Sequence, residues 1–255
     1  MIRSITFHFF SLLTLLQILG GCGSVQKFPG ARFSTPETNG IGLTKVETGV
    51  AHSRKLQPST DLRTSPVSED PLLSKSISPF IAPSFGFTDW LDLEINLGPS
   101  QALDSQIKIQ FLGSPASGAG AGSFSLAFNI GYSIYVAADE IASEDILAAN
   151  KEARSIIVNS GMTKMSMSTG YRFIAPLLVF VGVYKDSGRY TLKIKEGERT
   201  TIVHEIEDFG TFLGMTYQMG ALFSTLTFSQ GEFEITNRTN KLDSLAYSFS
   251  VGLRF

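Results

Sequence analysis

The chain has 255 residues, 43% of them hydrophobic and only 17% charged, with 24 Gly and 20 Phe; globular proteins carry about 25% charge, so this composition is too apolar for a disordered chain. The net charge of −2 with no basic stripe argues against nucleic acid as a partner. The single cysteine excludes an intramolecular disulfide and a cysteine-rich zinc site, and no residue pattern calls for a metal or another cofactor.

Residues 1–21 read as a secretory signal, with Arg3 as the positive n-region and a mostly apolar core from Ile5 to Ile18. Removing them leaves 20 basic and 23 acidic residues, a net charge of −3. Leu19-Gly20-Gly21-Cys22 follows, with small residues directly before the cysteine. This run resembles the lipobox of bacterial lipoproteins. The resemblance implies that Cys22 is acylated, with palmitate as one expected chain, and becomes the mature N-terminus after passage through lipoprotein-sorting machinery. Gly23 is not the Asp that typically retains such proteins at the inner membrane. Residues 22–39 contain Gly, Ser and Pro, lack periodicity, and read as a lipidated tether.

From residue 40 onward the dominant signal is two-residue alternation, the period of a strand with unlike faces. It predicts about ten strands (eight as the alternative), near 40–54, 77–87, 90–98, 105–113, 123–137, 162–173, 176–186, 206–219, 221–230 and 243–255. In the last, Leu245, Tyr247, Phe249, Val251, Leu253 and Phe255 alternate with Ala246, Ser248, Ser250, Gly252 and Arg254. Between 124 and 136, Phe124, Leu126, Phe128, Ile130, Tyr132, Ile134 and Val136 form an equally bulky face. The pattern is weaker in the first strand, where Lys45 and Glu47 share a face with Ile41 and Leu43, and near 177–186 and 221–230. A soluble sheet would turn Lys, Glu and Thr toward water. Here the second face is mostly Gly, Ser and Ala, which suits the lumen of a narrow membrane barrel whose bulky face meets lipid.

No stretch after the signal approaches the ~20 apolar residues of a spanning helix, whereas tilted strands of about 9–11 residues suffice. The expected class is therefore an all-β, transmembrane, antiparallel up-and-down barrel over 40–255. Its connections alternate in length: short at 88–89, 114–122, 174–175 and 220, longer at 55–76, 99–104, 138–161, 187–205 and 231–242. Short periplasmic turns and longer outer loops are the usual asymmetry. An even strand count then puts both termini in the periplasm, where a lipid on Cys22 would enter the inner leaflet. Phe85, Phe87, Trp90, Phe111, Phe124, Tyr171, Phe173, Tyr217, Phe223 and Phe255 fall at the same predicted end, as an interfacial aromatic belt would. Tyr247, Phe249, Val251, Leu253 and Phe255 resemble the C-terminal signature of outer-membrane barrels, which implies recognition by the barrel-assembly machinery and an outer-membrane lipid environment. The resemblance extends over about 40–255 to small barrels of eight to ten strands. It carries no activity, since fold does not imply function.

Asp92, Glu94, Lys108, Lys164, Arg172, Asp208 and Arg254 fall on the lumenal face. Buried charges need partners, so an Arg–carboxylate network is expected there. It is read as filling a narrow barrel rather than as a gate, although a small-solute channel is the alternative. His52 and His204 are the histidines outside the signal, and the Val203-His204-Glu205 run invites comparison with lipid-modifying barrel enzymes; without geometry it carries no triad. The segment 139–157 has helical spacing and could form a short surface helix. A tethered soluble barrel that carries lipid would reverse the faces, with an apolar lumen and a polar exterior. The leading reading is a non-enzymatic outer-membrane lipoprotein barrel with a structural or surface-interaction role and a narrow, plugged lumen.

Overall fold

A computed structural model describes residues 26–27, 33–57, 72–97, 103–141, 154–196, 198–235 and 242–255. Its strands are β1 (Gln26–Lys27), β2 (Thr44–Gln57), β3 (Leu72–Thr88), β4 (Leu91–Leu97), β5 (Leu103–Leu112), β6 (Phe124–Ile141), β7 (Arg154–Ile174), β8 (Leu177–Glu196), β9 (Glu198–Met219), β10 (Leu222–Ile235) and β11 (Leu242–Arg254). From β2 to β11 every strand pairs antiparallel with its neighbour in the chain, and β11 returns to β2, so ten strands close a ring. From Arg254↔Lys45 to Ser248↔Ala51 this closure leaves no sheet edge of the kind that hydrocarbon forbids. The ten elements match those expected from alternation. Residues 1–21, expected as a signal, and Cys22 lie outside the described residues.

Burial follows the sequence period. In β10, Phe223, Thr225, Thr227 and Ser229 are buried while Leu222 and Phe228 are exposed; in β11, Ala246, Ser248 and Ser250 are buried while Leu245, Tyr247, Phe249 and Val251 are exposed. Exposed Leu, Ile, Val, Phe, Met and Tyr ring the whole exterior. Soluble monomers rarely expose apolar patches above a few hundred Å². The outer wall is therefore a lipid-facing surface, and the fold is a transmembrane barrel rather than the reversed, lipid-carrying one.

Three two-residue connections lie at one end of the barrel. β3 meets β4 through Asp89–Trp90, β7 meets β8 through Ala175–Pro176, and β9 meets β10 through Gly220–Ala221, with Gly220 at φ 59° in the left-handed region that such a tight turn demands. The start of β2 and Phe255 lie here too, joined by paired backbone hydrogen bonds between Thr44 and Phe255 (2.8 and 3.2 Å). We call this the turn end and the opposite one the loop end. Phe85, Phe87, Trp90, Phe111, Phe124, Tyr171, Phe173, Tyr217 and Phe255 form an exposed aromatic belt at the turn end.

The structure corrects several expectations. The stretch 187–205 is not a loop: β8 runs to Glu196 and β9 starts at Glu198, forming a long hairpin of 20- and 22-residue strands. Its outward residues change from Val181 and Val183 to Lys185 and Arg189, and from Phe209 to Glu207 and Glu205, so the hairpin continues beyond the apolar band. Because the strands stay paired past the lipid, polar residues there looked like a loop. Residues 139–141 and 154–157 are strand, not helix; the rest of that segment lies outside the described residues. Phe223 does not join the belt but points inward, 3% exposed, with the Lys45 ammonium 5.0 Å from its ring centre.

Inward aromatics are accommodated by glycine. Phe180 faces Gly214, Phe212 faces Gly182, and Phe223 faces Gly252 across adjacent strands, and each ring occupies the space that a side chain at the glycine would need. Gly214→Leu should therefore expel Phe180 and cost about 1–3 kcal/mol, the usual penalty of overpacking. Urea unfolding followed by heat-modifiable gel migration would measure it.

Candidate functional site

The lumen holds the chemistry. Its wall is divided: β2 to β7 contribute most of the polar side chains, and β8 to β10 contribute Leu178, Phe180, Tyr184, Ile206, Phe212 and Phe233, all buried. The small-residue lumen expected from the sequence holds only for part of the wall.

Residues 33–39, expected as tether, occupy the turn end of this lumen. Glu37, Thr38 and Asn39 are each no more than 3% exposed. Gly40 (φ 101°) and Gly42 (φ 71°) then adopt the left-handed conformation that lets the chain reverse out of the lumen and enter β2. The segment is held at every step. Glu37 makes a two-pronged ion pair with Arg172, with Nε–Oε1 at 2.7 Å and Nη2–Oε2 at 2.6 Å, the fork geometry that favours Arg. The Glu37 carbonyl accepts from Lys108 Nζ at 3.0 Å. Asn39 N–H donates to the Asp92 carboxylate at 2.9 Å, and its amide nitrogen to Ser84 Oγ at 2.8 Å. Thr38 N–H donates to Gln110 Oε1 at 2.6 Å, while its hydroxyl donates to the Asp89 carbonyl at 2.6 Å. Ser34 donates to Glu94 at 3.4 Å. Deeper in, Phe33 stacks on Phe212 with centroids 4.1 Å apart and packs against Tyr184 at 4.9 Å. The connection 113–123 closes over the segment: Ala116 is buried and its N–H donates to the Thr38 carbonyl.

Buried charges gather at the turn end, and their central carboxylate comes from the arm rather than the wall. Asp92, Glu94, Lys108, Arg172 and Arg254 gather at the turn end together with Lys45 and Glu47. Lys108 pairs with Asp92 at 3.7 Å and Lys45 with Glu47 at 2.9 Å. Ser250 also donates to Glu47, and Arg172 to the Ala175 carbonyl. Arg254 reaches Gln218 at 3.3 Å and Arg172 reaches the same oxygen at 3.4 Å. With Glu37 present, Lys45, Lys108, Arg172 and Arg254 are matched by Glu37, Glu47, Asp92 and Glu94. Without it, the layer has one cation in excess in a low-dielectric space.

Lys164 and Asp208 belong to a separate, deeper layer. Lys164 pairs with Asp104 at 2.7 Å, Asp208 accepts from Tyr184 at 3.1 Å, and Asp186 sits between them in register, opposite Lys164 on β7 and Asp208 on β9. Glu37, Lys45, Glu47, Asp104 and Asp186 were not singled out from sequence. Alternation could have assigned the last four, but Glu37 precedes the first strand and no period marks it.

The two histidines do not converge. His52 lies on the outer face, stacked on Tyr247 at 5.2 Å, and His204 faces the lumen beside Tyr190. Among the described residues no cluster of His, Cys, Asp and Glu has the arrangement of a metal site. The residues of the C-terminal signature, Tyr247, Phe249, Val251, Leu253 and Phe255, all point outward.

No family model and no curated protein matches the chain. Among solved structures it is similar to Ail, the attachment invasion locus protein of Yersinia pestis, at 8% identity and a TM-score of 0.41, over 84% of this chain and 99% of that one. Neisserial surface protein A gives 13% identity and a TM-score of 0.31, over 84% and 97% of the two chains. The Ralstonia pickettii toluene transporter TbuX gives 8% identity and 0.27, over 84% and 73%. These scores are too low to carry an argument; the barrel stands on its own strand pairing.

Proposed function

We propose that the chain is a non-enzymatic bacterial outer-membrane barrel, acylated at Cys22, that keeps its lumen shut with its own N-terminal segment and acts through its loop end in a structural or surface-interaction role. The observation that carries this reading is the buried Glu37–Arg172 pair, which fixes residues 33–39 across the turn end. A barrel that spends its lumen on an internal ion-pair network has its free surface at the loop end. The long β8–β9 hairpin supports that side as the working one: about 9–11 residues of each strand cross the hydrocarbon, and the remainder stands beyond it. On this reading the turn end is periplasmic, the C-terminal signature engages the barrel-assembly machinery, and Cys22 engages the lipoprotein-sorting machinery.

An epitope inserted between Glu196 and Glu198 should be detected on intact cells, and palmitate labelling should be lost in Cys22→Ser. An epitope reached only after permeabilisation, or unchanged labelling, overturns the corresponding part. The separation of His52 and His204 supports the absence of lipid hydrolysis: His52→Ala and His204→Ala should leave phospholipid turnover at the background of cells lacking the protein. The channel reading keeps one specific support, the deeper layer in which Asp104, Asp186 and Asp208 outnumber Lys164.

A further inference from the structure

The arm that closes the lumen can be followed along the barrel axis, and it does not return to the turn end. Asn39 contacts Asp92, one residue into β4 from the turn; Glu37 contacts Arg172, two residues from the end of β7. Phe33 lies against Tyr184 and Phe212, each seven residues from the turn-end limit of its strand. Farther back, Lys27 and Gln26 pair with Lys55 and Leu56, eleven and twelve residues into β2. Each earlier residue is farther from the turn end. The polarity agrees, because β1 is antiparallel to β2 and so runs toward the turn end, as residues 33–39 do. The reach agrees as well. Phe33 to Lys27 is six residue steps, or up to about 20 Å of chain, against about 13 Å between the two levels along a strand.

The wall leaves room for this exit. β11 and β2 pair from Arg254↔Lys45 only as far as Ser248↔Ala51, although both strands continue. Beyond that point β1 takes up the β2 side of the seam. The level matches the upper limit of the apolar band, since the exposed Glu232, paired with Asp243 eleven residues before Arg254, follows Phe228 on the outer face of β10.

We infer that the N-terminal arm crosses the membrane inside the barrel, from Gln26–Lys27 at the β2–β11 seam of the loop end to residues 33–39 at the turn end, so that Gln26 lies on the side of the loops, opposite Phe255. This inference departs from the expectation that both termini share the turn end. Strand parity counts only the wall and cannot register a segment that threads the lumen. Together with the proposed acylation of Cys22 and the proposed orientation, the lipid belongs to the leaflet on the loop side, four residues from Gln26, and the protein is a surface lipoprotein rather than one anchored in the periplasmic leaflet.

Three single variants, Gln26→Cys, Thr64→Cys in the β2–β3 connection and Ser117→Cys at the turn end, would be treated on intact and on permeabilised cells with a membrane-impermeant maleimide, with the unsubstituted chain as background. Threading predicts that Gln26→Cys labels under the same condition as Thr64→Cys. If Gln26→Cys instead follows Ser117→Cys, the threading is wrong. The orientation is judged separately: Thr64→Cys labelled only after permeabilisation, with Ser117→Cys labelled on intact cells, overturns the proposed placement but not the threading. Should Gln26→Cys resist labelling in both states, an epitope inserted after Ser24 and detected by antibody gives the same comparison, and its detection only together with Ser117→Cys contradicts the inference.

Discussion

Glu37→Ala is expected to destabilise the folded barrel by about 3–5 kcal/mol, the cost of leaving a buried charge without its partner. Arg172 is 2% exposed and loses both prongs of its ion pair, retaining a backbone carbonyl and a weak contact with Gln218. Arg172→Met alone should be comparably damaging, because it strands the Glu37 carboxylate instead. The double variant Glu37→Met with Arg172→Met should recover most of the loss, since replacing both members of a buried pair by apolar side chains is often neutral. Urea unfolding in lipid vesicles would measure all three. Additive losses in the double variant would mean that the pair is not the contact holding the arm.

Leu213→Arg should be nearly as costly, about 2–4 kcal/mol, because it puts a guanidinium on the lipid face near the middle of the apolar band. Leu213 is six residues from the end of β9 and 48% exposed. Glu205→Arg lies on the same strand and face but beyond the band, beside an exposed Arg189 contact, and should change stability by no more than about 0.5 kcal/mol. The contrast between the two positions distinguishes lipid exposure from a general intolerance of arginine on the exterior. Equal costs at both would contradict the boundary drawn at Glu207 and Lys185.

What alternation encodes was legible: ten strands, the side that most residues face, and the two-residue turns of the turn end. It works because a one-residue slip would carry Leu245, Tyr247 and Phe249 into the lumen and Ser248 and Ser250 into lipid. It failed where a residue's partner belongs to another layer. Phe223 looks like a lipid-facing aromatic until Gly252 is found opposite it, and that pairing is tertiary. The polar outer face at Lys185 to Thr191 looked like a loop because the strand continues into water. Most of the site was half legible. The wall charges Asp92, Lys108 and Arg172 follow from the period, but the carboxylate that completes them, Glu37, lies in a segment with no period at all. A Gly-, Ser- and Pro-containing stretch is a reasonable tether by composition. It is ordered here because its backbone and side-chain polar groups meet Asp92, Gln110, Lys108 and Arg172 one after another.

Planar-bilayer recording tests most directly the claim that the chain closes its own lumen. The full-length protein should give no conductance steps, whereas a variant lacking residues 33–39, with the bend at 40–43 retained, should give them. Steps of the same size from both proteins would contradict the account, because the segment held by Glu37 and Arg172 would then not be what closes the barrel.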